Sequence, residues 1–233
     1  MVVVGVALGR LRLGFTLIKR SPGAPAATIK TLLSPPLQIC SRLVAYNQTS
    51  LDSLPDLILE RMLKESEAIS ASFAMANIGI LVLPTGESES KAESIRLCNV
   101  LEHELRKLCK SEIKHVGIGA ARSALGITEN VSSKAKREMI DSLTANVINR
   151  DKCSTSSAAQ TMAESYAVAA HIEQIRLLNE LKRENPEKVV SLRNEVLKRK
   201  VFQRSPAVKI KDSVFEQLVA SEVDRQLVTR FKI

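Results

Sequence analysis

Three features of this chain predict an all-α protein: two helical bundle domains joined by a linker, with a helical carboxy-terminal region. Aromatic residues make up only 3% of the chain and Trp is absent. The core must therefore come from Leu, Ile, Val, Ala and Met, the side chains that fill helical bundles. Leu97, Leu101, Leu105 and Leu108 recur at helical spacing in a run ending at His115. At about 100° per residue, Arg106, Lys107, Lys110 and Lys114 take the opposite face. Finally, Pro, Gly and capping residues punctuate the chain at intervals that suit helices.

Ser21-Pro-Gly-Ala-Pro reads as a turn leading into a short helix over residues 26–33, which stops before Pro35-Pro36. A second short helix covers 37–46. Ser53, Pro55 and Asp56 supply the start of a longer one reaching about Ser70, with Leu57, Leu59, Met62 and Leu63 as its apolar positions. The apolar run 72–83 fits either a buried helix or a strand, and its neighbours favour the helix. Pro84-Thr-Gly-Glu-Ser-Glu-Ser is polar and turn-rich, which suits a linker. Helices follow over 91–115 (one or two), 117–125, 134–149 and 154–181. Asn185-Pro186-Glu187 is a stop-and-restart signal, with Asn as N-cap, Pro in the first turn and Glu near the positive helix end. Residues 170–181 and 188–202 then form a helical hairpin. A last helix spans about 211–231, packing through Val214, Leu218 and Val219. The expected division is a divergent segment 1–15, an amino-terminal helical domain 16–83, a linker 84–90, a middle helical domain 91–133 with the basic helix, and a carboxy-terminal helical domain 134–233.

Composition narrows the function. With 233 residues, 45% hydrophobic and 25% charged, the chain can bury a proper core and is not disordered in composition. A net charge of +9 favours anionic partners such as RNA, acidic proteins or an anionic membrane face. Cys40, Cys98, Cys109 and Cys153 are far apart and form no CxxC pair, so four reduced thiols and no zinc site are expected. The sequons at Asn47 and Asn130 matter only in a secreted chain and are read as unglycosylated. His103, His115 and His171 are isolated, with no HExxH, nucleophile elbow or Cys-His pairing. Gly117-Ile-Gly-Ala-Ala-Arg lacks the lysine of a phosphate-binding loop. No catalytic residue, cofactor or metal is assigned, and the chain is expected not to be an enzyme.

The opening residues carry no Asp or Glu before Asp52 but include Arg10, Arg12, Lys19, Arg20, Lys30 and Arg42, as mitochondrial presequences do. Against that, Leu11, Leu13, Phe15 and Leu17 alternate with polar or small residues at strand period. The apolar stretch 1–8 is far shorter than the roughly 20 residues of a membrane span, and no transmembrane segment is expected anywhere.

The segments Ser21-Pro-Gly-Ala-Pro-Ala-Ala-Thr-Ile, 47–63, Gly79-Ile-Leu-Val-Leu-Pro, Arg106-Lys-Leu-Cys-Lys, Arg137-Glu-Met-Ile, Val147-Ile-Asn-Arg and Ser154-Thr-Ser-Ser-Ala-Ala-Gln-Thr-Met-Ala-Glu resemble, in the same order, stretches of orthomyxovirus (influenza-type) matrix proteins. Cys109 and Ser111 dilute the basic motif, and that family's Cys/His cluster has no counterpart. The resemblance implies a matrix protein that self-assembles beneath the virion envelope and serves virus assembly and budding. The implied partners are a second copy in a polymer, viral ribonucleoprotein or RNA, anionic membrane lipids, viral glycoprotein tails and a nuclear export factor. The implied locations are the inner envelope face of the virion and the host cytoplasm, nucleus and inner plasma-membrane leaflet. Arg106, Lys107, Lys110 and Lys114 are the RNA- and lipid-binding residues on this reading. A second basic region comprises Lys134, Lys136, Arg137, Lys198, Arg199 and Lys200. Each cation near an anionic surface contributes about 1 kcal/mol, so polymerisation has to multiply weak contacts. The rival expectation is a mitochondrially targeted helical scaffold or ribosome-associated subunit that loses its first ~20–40 residues as a presequence.

Overall fold

The computed structural model describes residues 2–9, 12–20, 37–45, 53–69, 72–81, 89–110, 113–127, 132–199 and 212–231. Its centre is a six-stranded mixed sheet, which overturns the all-α expectation. The strands are β1 Val2–Leu8, β2 Arg12–Arg20, β3 Leu37–Ala45, β4 Asn77–Leu81, β5 Ile113–Val116 and β6 Asn149–Arg150, in the spatial order β5-β4-β1-β2-β3-β6. β1, β2 and β3 form an antiparallel meander, while β4 is parallel to β1, β5 to β4 and β6 to β3.

Burial explains why strands replace the expected helices. Every residue of β1 is buried, so both faces of the strand are apolar and the period-two signal of a half-exposed strand is erased. Residues 37–46, expected to be helical, contain β3, and the run 72–83, expected to be a buried helix, holds a short 3-10 turn Phe73–Met75 and then β4. The alternation through Phe15 marks a true strand, paired to β1 with Val6 opposite Phe15 and Val4 opposite Leu17. The helix expected over 26–33 lies outside the described residues.

The helices among the described residues are α1 Leu54–Ala68, α2 Glu89–Leu108, α3 Ile118–Ala124, α4 Ser132–Asn146, α5 Ser156–Glu184, α6 Pro186–Leu197 and α7 Asp212–Phe231. The chain divides into two compact units, one of residues 1–22 and 35–173, the other of 23–34 and 174–233. In the first, α1 and α2 cover one side of the sheet. Val4, Val6, Leu13, Phe15 and Leu17 meet Ile58 and Met62 of α1 and Leu97, Leu101 and Leu105 of α2 in one cluster. At roughly 1.5–3 kcal/mol per fully buried aliphatic or Phe side chain, this cluster is the main apolar contribution.

The opposite side of the sheet receives α5 through small residues. A Cβ added at Gly5 would lie 2.2 Å from the Ser165 carbonyl oxygen, and one at Gly14 would lie 2.7 Å from that of Thr161. Only glycine lets the backbones of strand and helix approach this closely. Between these points runs a buried hydroxyl chain. Thr16 Oγ1 lies 2.8 Å from Ser41 Oγ and 2.9 Å from Ser165 Oγ, and Ser165 donates to the Met162 carbonyl at 2.8 Å. Since each hydroxyl has one proton, Ser165 accepts from Thr16 and Thr16 accepts from Ser41, so every member is satisfied.

In the second unit, Leu177, Leu178 and Leu181 pack with Leu192 and Val196 of α6 and Val219, Val223 and Leu227 of α7. The Asn185-Pro186 restart stands where it was expected, with Asn185 as the N-cap of α6. The packing side of α7 differs from the expected one: Val219 is buried, but Val214 and Leu218 are 44% and 49% exposed.

Candidate nucleic-acid interface

The structure separates cations that the sequence places on one helix. α2 ends at Leu108, so Lys110 lies in the following turn and Lys114 on β5. Of the two that remain on α2, Arg106 pairs with Glu102 at 2.6 Å and Lys107 with Glu104 at 2.7 Å. His115 adds a 2.8 Å contact to Glu102. Burial of Glu102 works against ionisation, but the Arg106 and His115 contacts prevail and hold its carboxyl below the usual range. The basic face of α2 is thus largely neutralised within its own surface.

The second basic region divides in a similar way. Lys134 approaches Glu138 at 3.9 Å. Arg199 bonds Glu222 of α7 at 2.8 Å, and Arg193 bonds Glu216 at the same distance. These pairs link α6 and the residues just after it to α7 as exposed ion pairs, each worth roughly 0.2–1 kcal/mol. Lys198 is the C-cap of α6, Arg137 is exposed on α4, and Lys200 lies outside the described residues.

Three cations of the first unit converge on one flank of α5. Lys114 stands opposite Gly79 in the β4–β5 register, and Gly79 stands opposite Gly5 in β1. Lys114 therefore lies on the α5 side of the sheet. Its ammonium acts on His171 of α5, where burial first and that charge second hold the imidazole below its ordinary pKa. Two turns earlier on α5, Arg122 of α3 and Lys136 of α4 act on Glu164. Residues 164 and 171 are seven apart, so they share a face about 10 Å along the helix. Arg122 Nε is buried with no hydrogen-bond partner. Among the described residues, Lys114, Arg122 and Lys136 belong to no ion pair within 4.0 Å, and Arg122 and Lys136 share the Glu164 carboxylate.

Sequence reasoning named Lys114 and Lys136 but set them in different groups, and it did not single out Arg122 as a binding residue. The period of a helix cannot bring residues 114, 122, 136 and 164 together; the β4–β5 pairing and the approach of α5 to the sheet do so.

A second charged cluster sits at the β3 edge. Arg42 Nε lies 2.8 Å from Glu65 and 3.8 Å from Asp151, while Arg61 lies 3.2 Å from Glu65. Two guanidinium groups face two carboxylates, so the cluster is balanced and ties α1 to β3 and the β6 segment. Cys40 donates to Glu65 at 3.3 Å, and burial pushes its thiol up to about 12, which makes it a poor nucleophile.

Hydrolysis by metal ions needs several oxygen or nitrogen ligands converging on one point. Among the described residues no three of His, Cys, Asp and Glu come together in that way, and no reaction step is assigned here. No described helix is long and apolar enough to cross a membrane.

No protein-family model and no curated protein matches the sequence. Among solved structures, the chain is similar to T. thermophilus RuvC in complex with a Holliday junction substrate, at 12% identity and a TM-score of 0.44, over 73% of this chain and 91% of that one. A further structure of Thermus thermophilus RuvC gives 13% identity and a TM-score of 0.43, over 74% and 97%.

The matrix-protein resemblance does not survive the fold. A mixed sheet stands where helical bundles were implied. With the resemblance fall the virion coat, assembly and budding, the envelope location and the non-enzymatic structural role that it implied. The mitochondrial scaffold falls as well, because β1 and β2 are central strands with buried side chains. Cleaving the first ~20–40 residues as a presequence would remove them from the core.

Proposed function

We propose that this protein binds nucleic acid through the phosphate backbone, along the flank of α5 that carries Lys114, Arg122 and Lys136. The observation that carries the reading is that Lys114, Arg122 and Lys136, none of them in an ion pair within 4.0 Å among the described residues, all act on α5, Lys114 on His171 and the other two on Glu164, in a chain of net charge +9. Phosphate contacts by Lys and Arg supply affinity without reading sequence. The cations come from a strand and two helices, elements of regular structure, so little ordering cost accompanies binding. RNA and DNA both present the phosphates this flank would meet.

The test is fluorescence anisotropy with a labelled DNA duplex, a four-way DNA junction and single-stranded RNA, titrated from about 50 to 200 mM salt. The reading predicts binding that weakens linearly on a log–log plot against salt. Each phosphate neutralised contributes a slope of roughly −0.9 on duplex DNA. Absence of binding to all three probes at the lowest salt would contradict it.

A further inference from the structure

Where α4 gives way to β6, the first unit opens into a cleft of about 570 Å³, inside the range of roughly 300–1,000 Å³ that small-molecule sites occupy. Ile140 and Leu143 of α4 and Ala159 of α5 give it an apolar wall, and Ile148, Arg150 and Lys152 line it from the segment between the two helices. Ile148 is 95% exposed. A single exposed aliphatic residue is ordinary on its own; beside an apolar wall it extends the surface that a ligand can take out of water.

The charge of the cleft is one-sided. Its carboxylate, Asp151, is already engaged: it accepts from the Leu43 N–H at 2.9 Å and lies 3.8 Å from Arg42 and 4.0 Å from Arg61. Arg150 Nη1 donates to the carbonyls of Thr144 and Val147, bonds that fix the guanidinium at the end of α4 without giving it a counter-ion. Among the described residues neither Arg150 nor Lys152 belongs to an ion pair within 4.0 Å, and Lys152 is exposed.

We propose that this cleft binds a small organic acid, an apolar body carrying one carboxylate: the body lies against Ile140, Leu143, Ile148 and Ala159, and the carboxylate meets Arg150 and Lys152. A bare anion would leave the apolar wall in water, and a neutral hydrocarbon would leave both cations unused. An extended peptide is the poorer occupant, because the neighbouring sheet edge, β6, is two residues long and offers too short a ladder for an added strand. The cleft shares no residue with the α5-flank cations Lys114, Arg122 and Lys136, so the inference stands apart from the nucleic-acid reading.

The experiment is an amide chemical-shift titration of the isotope-labelled full-length protein with octanoate, octanamide and acetate. Octanoate is expected to shift the amides of Ile148, Lys152 and Ala159 saturably, octanamide to bind roughly threefold more weakly, and acetate not to saturate. Lys152→Gln should weaken octanoate binding by roughly threefold, the size of effect seen for one exposed charge, and Lys152→Arg should bind as wild type does. Ala159→Leu should abolish saturation by filling the cleft. Thermal melts identify any loss of fold, and the exposed Lys152 provides the variant least able to cause one. Absence of saturation by octanoate, equal affinity for octanoate and octanamide, or octanoate binding unchanged in Lys152→Gln would each overturn the site.

Discussion

The two sides of the central sheet solve the packing problem differently. Towards α1 and α2 the strands present Val4, Val6, Phe15 and Leu17, and the space is filled by side-chain volume. Towards α5 they present Gly5, Thr16 and Gly14, and the space is closed by bringing backbones together. Charge follows the same division only in part. On the first side Arg42, Arg106 and Lys107 each meet a carboxylate; on the second Arg20 bonds Glu173 of α5 at 3.0 Å, while Lys114, Arg122 and Lys136 form no ion pair. On the proposed reading, the three cations of the second side that form no ion pair are the ones that meet a ligand.

The largest effect is expected from Phe15→Ala, which empties the α1/α2 side and should cost about 3–5 kcal/mol in chemical denaturation. On the other side the opposite change is harmful. Gly5→Ala adds a methyl group into the Ser165 carbonyl and the Ala169 backbone, and should cost about 1–3 kcal/mol. A neutral Gly5→Ala would break the distinction between the two sides. Thr16→Val removes the middle hydroxyl of the buried chain and deprives Ser41 and Ser165 of a partner; about 1 kcal/mol is expected.

The smallest effect concerns the paired charges beside α1. Burial of Glu65 raises its carboxyl pKa, but hydrogen bonds from Arg42 and Cys40, with the Arg42 and Arg61 charges, outweigh it and leave the value lowered. A carboxyl held lower in the folded state than in the unfolded chain stabilises the fold above its unfolded pKa of about 4.3. That contribution disappears as pH falls through the folded value. Melting temperature should therefore drop from about pH 5 downwards, and drop less steeply in Glu65→Gln. Equal acid sensitivity in the two proteins would show that the pair does not stabilise the fold.

How much of this was legible in the sequence depended on where each residue's signal lies. α1 and α6 were readable because Pro55, Asn185 and Pro186 are local marks, whereas for α7 the span was readable but not the packing side, since Val214 and Leu218 are exposed. β1 was not, because a strand buried on both faces has no alternation. Gly5 and Gly14 look like helix breakers in a linear reading, yet they are the places where α5 touches the sheet. The alternation at Leu13, Phe15 and Leu17 was a true strand signal, outweighed by an aliphatic, aromatic-poor composition that suits helices and buried sheets equally. For the candidate site, net charge favours an anionic partner class, which remains a proposal, while the choice among cations needed long-range pairing. Arg106 and Lys107 stand out in sequence, but Glu102 and Glu104 lie one turn away and bond them. Arg122, separated by many residues from Lys136 and Glu164, shows no local mark.

The most direct measurement sets the two groups of cations against each other in one salt titration on duplex DNA. Lys114→Gln/Arg122→Gln/Lys136→Gln is predicted to reduce the log–log salt slope by roughly 2–3, whereas Arg106→Gln/Lys107→Gln should leave it within about 0.5 of wild type, because those side chains already have protein partners. Equal losses in the two variants, or a loss confined to Arg106 and Lys107, would contradict the placement of the interface on the α5 flank.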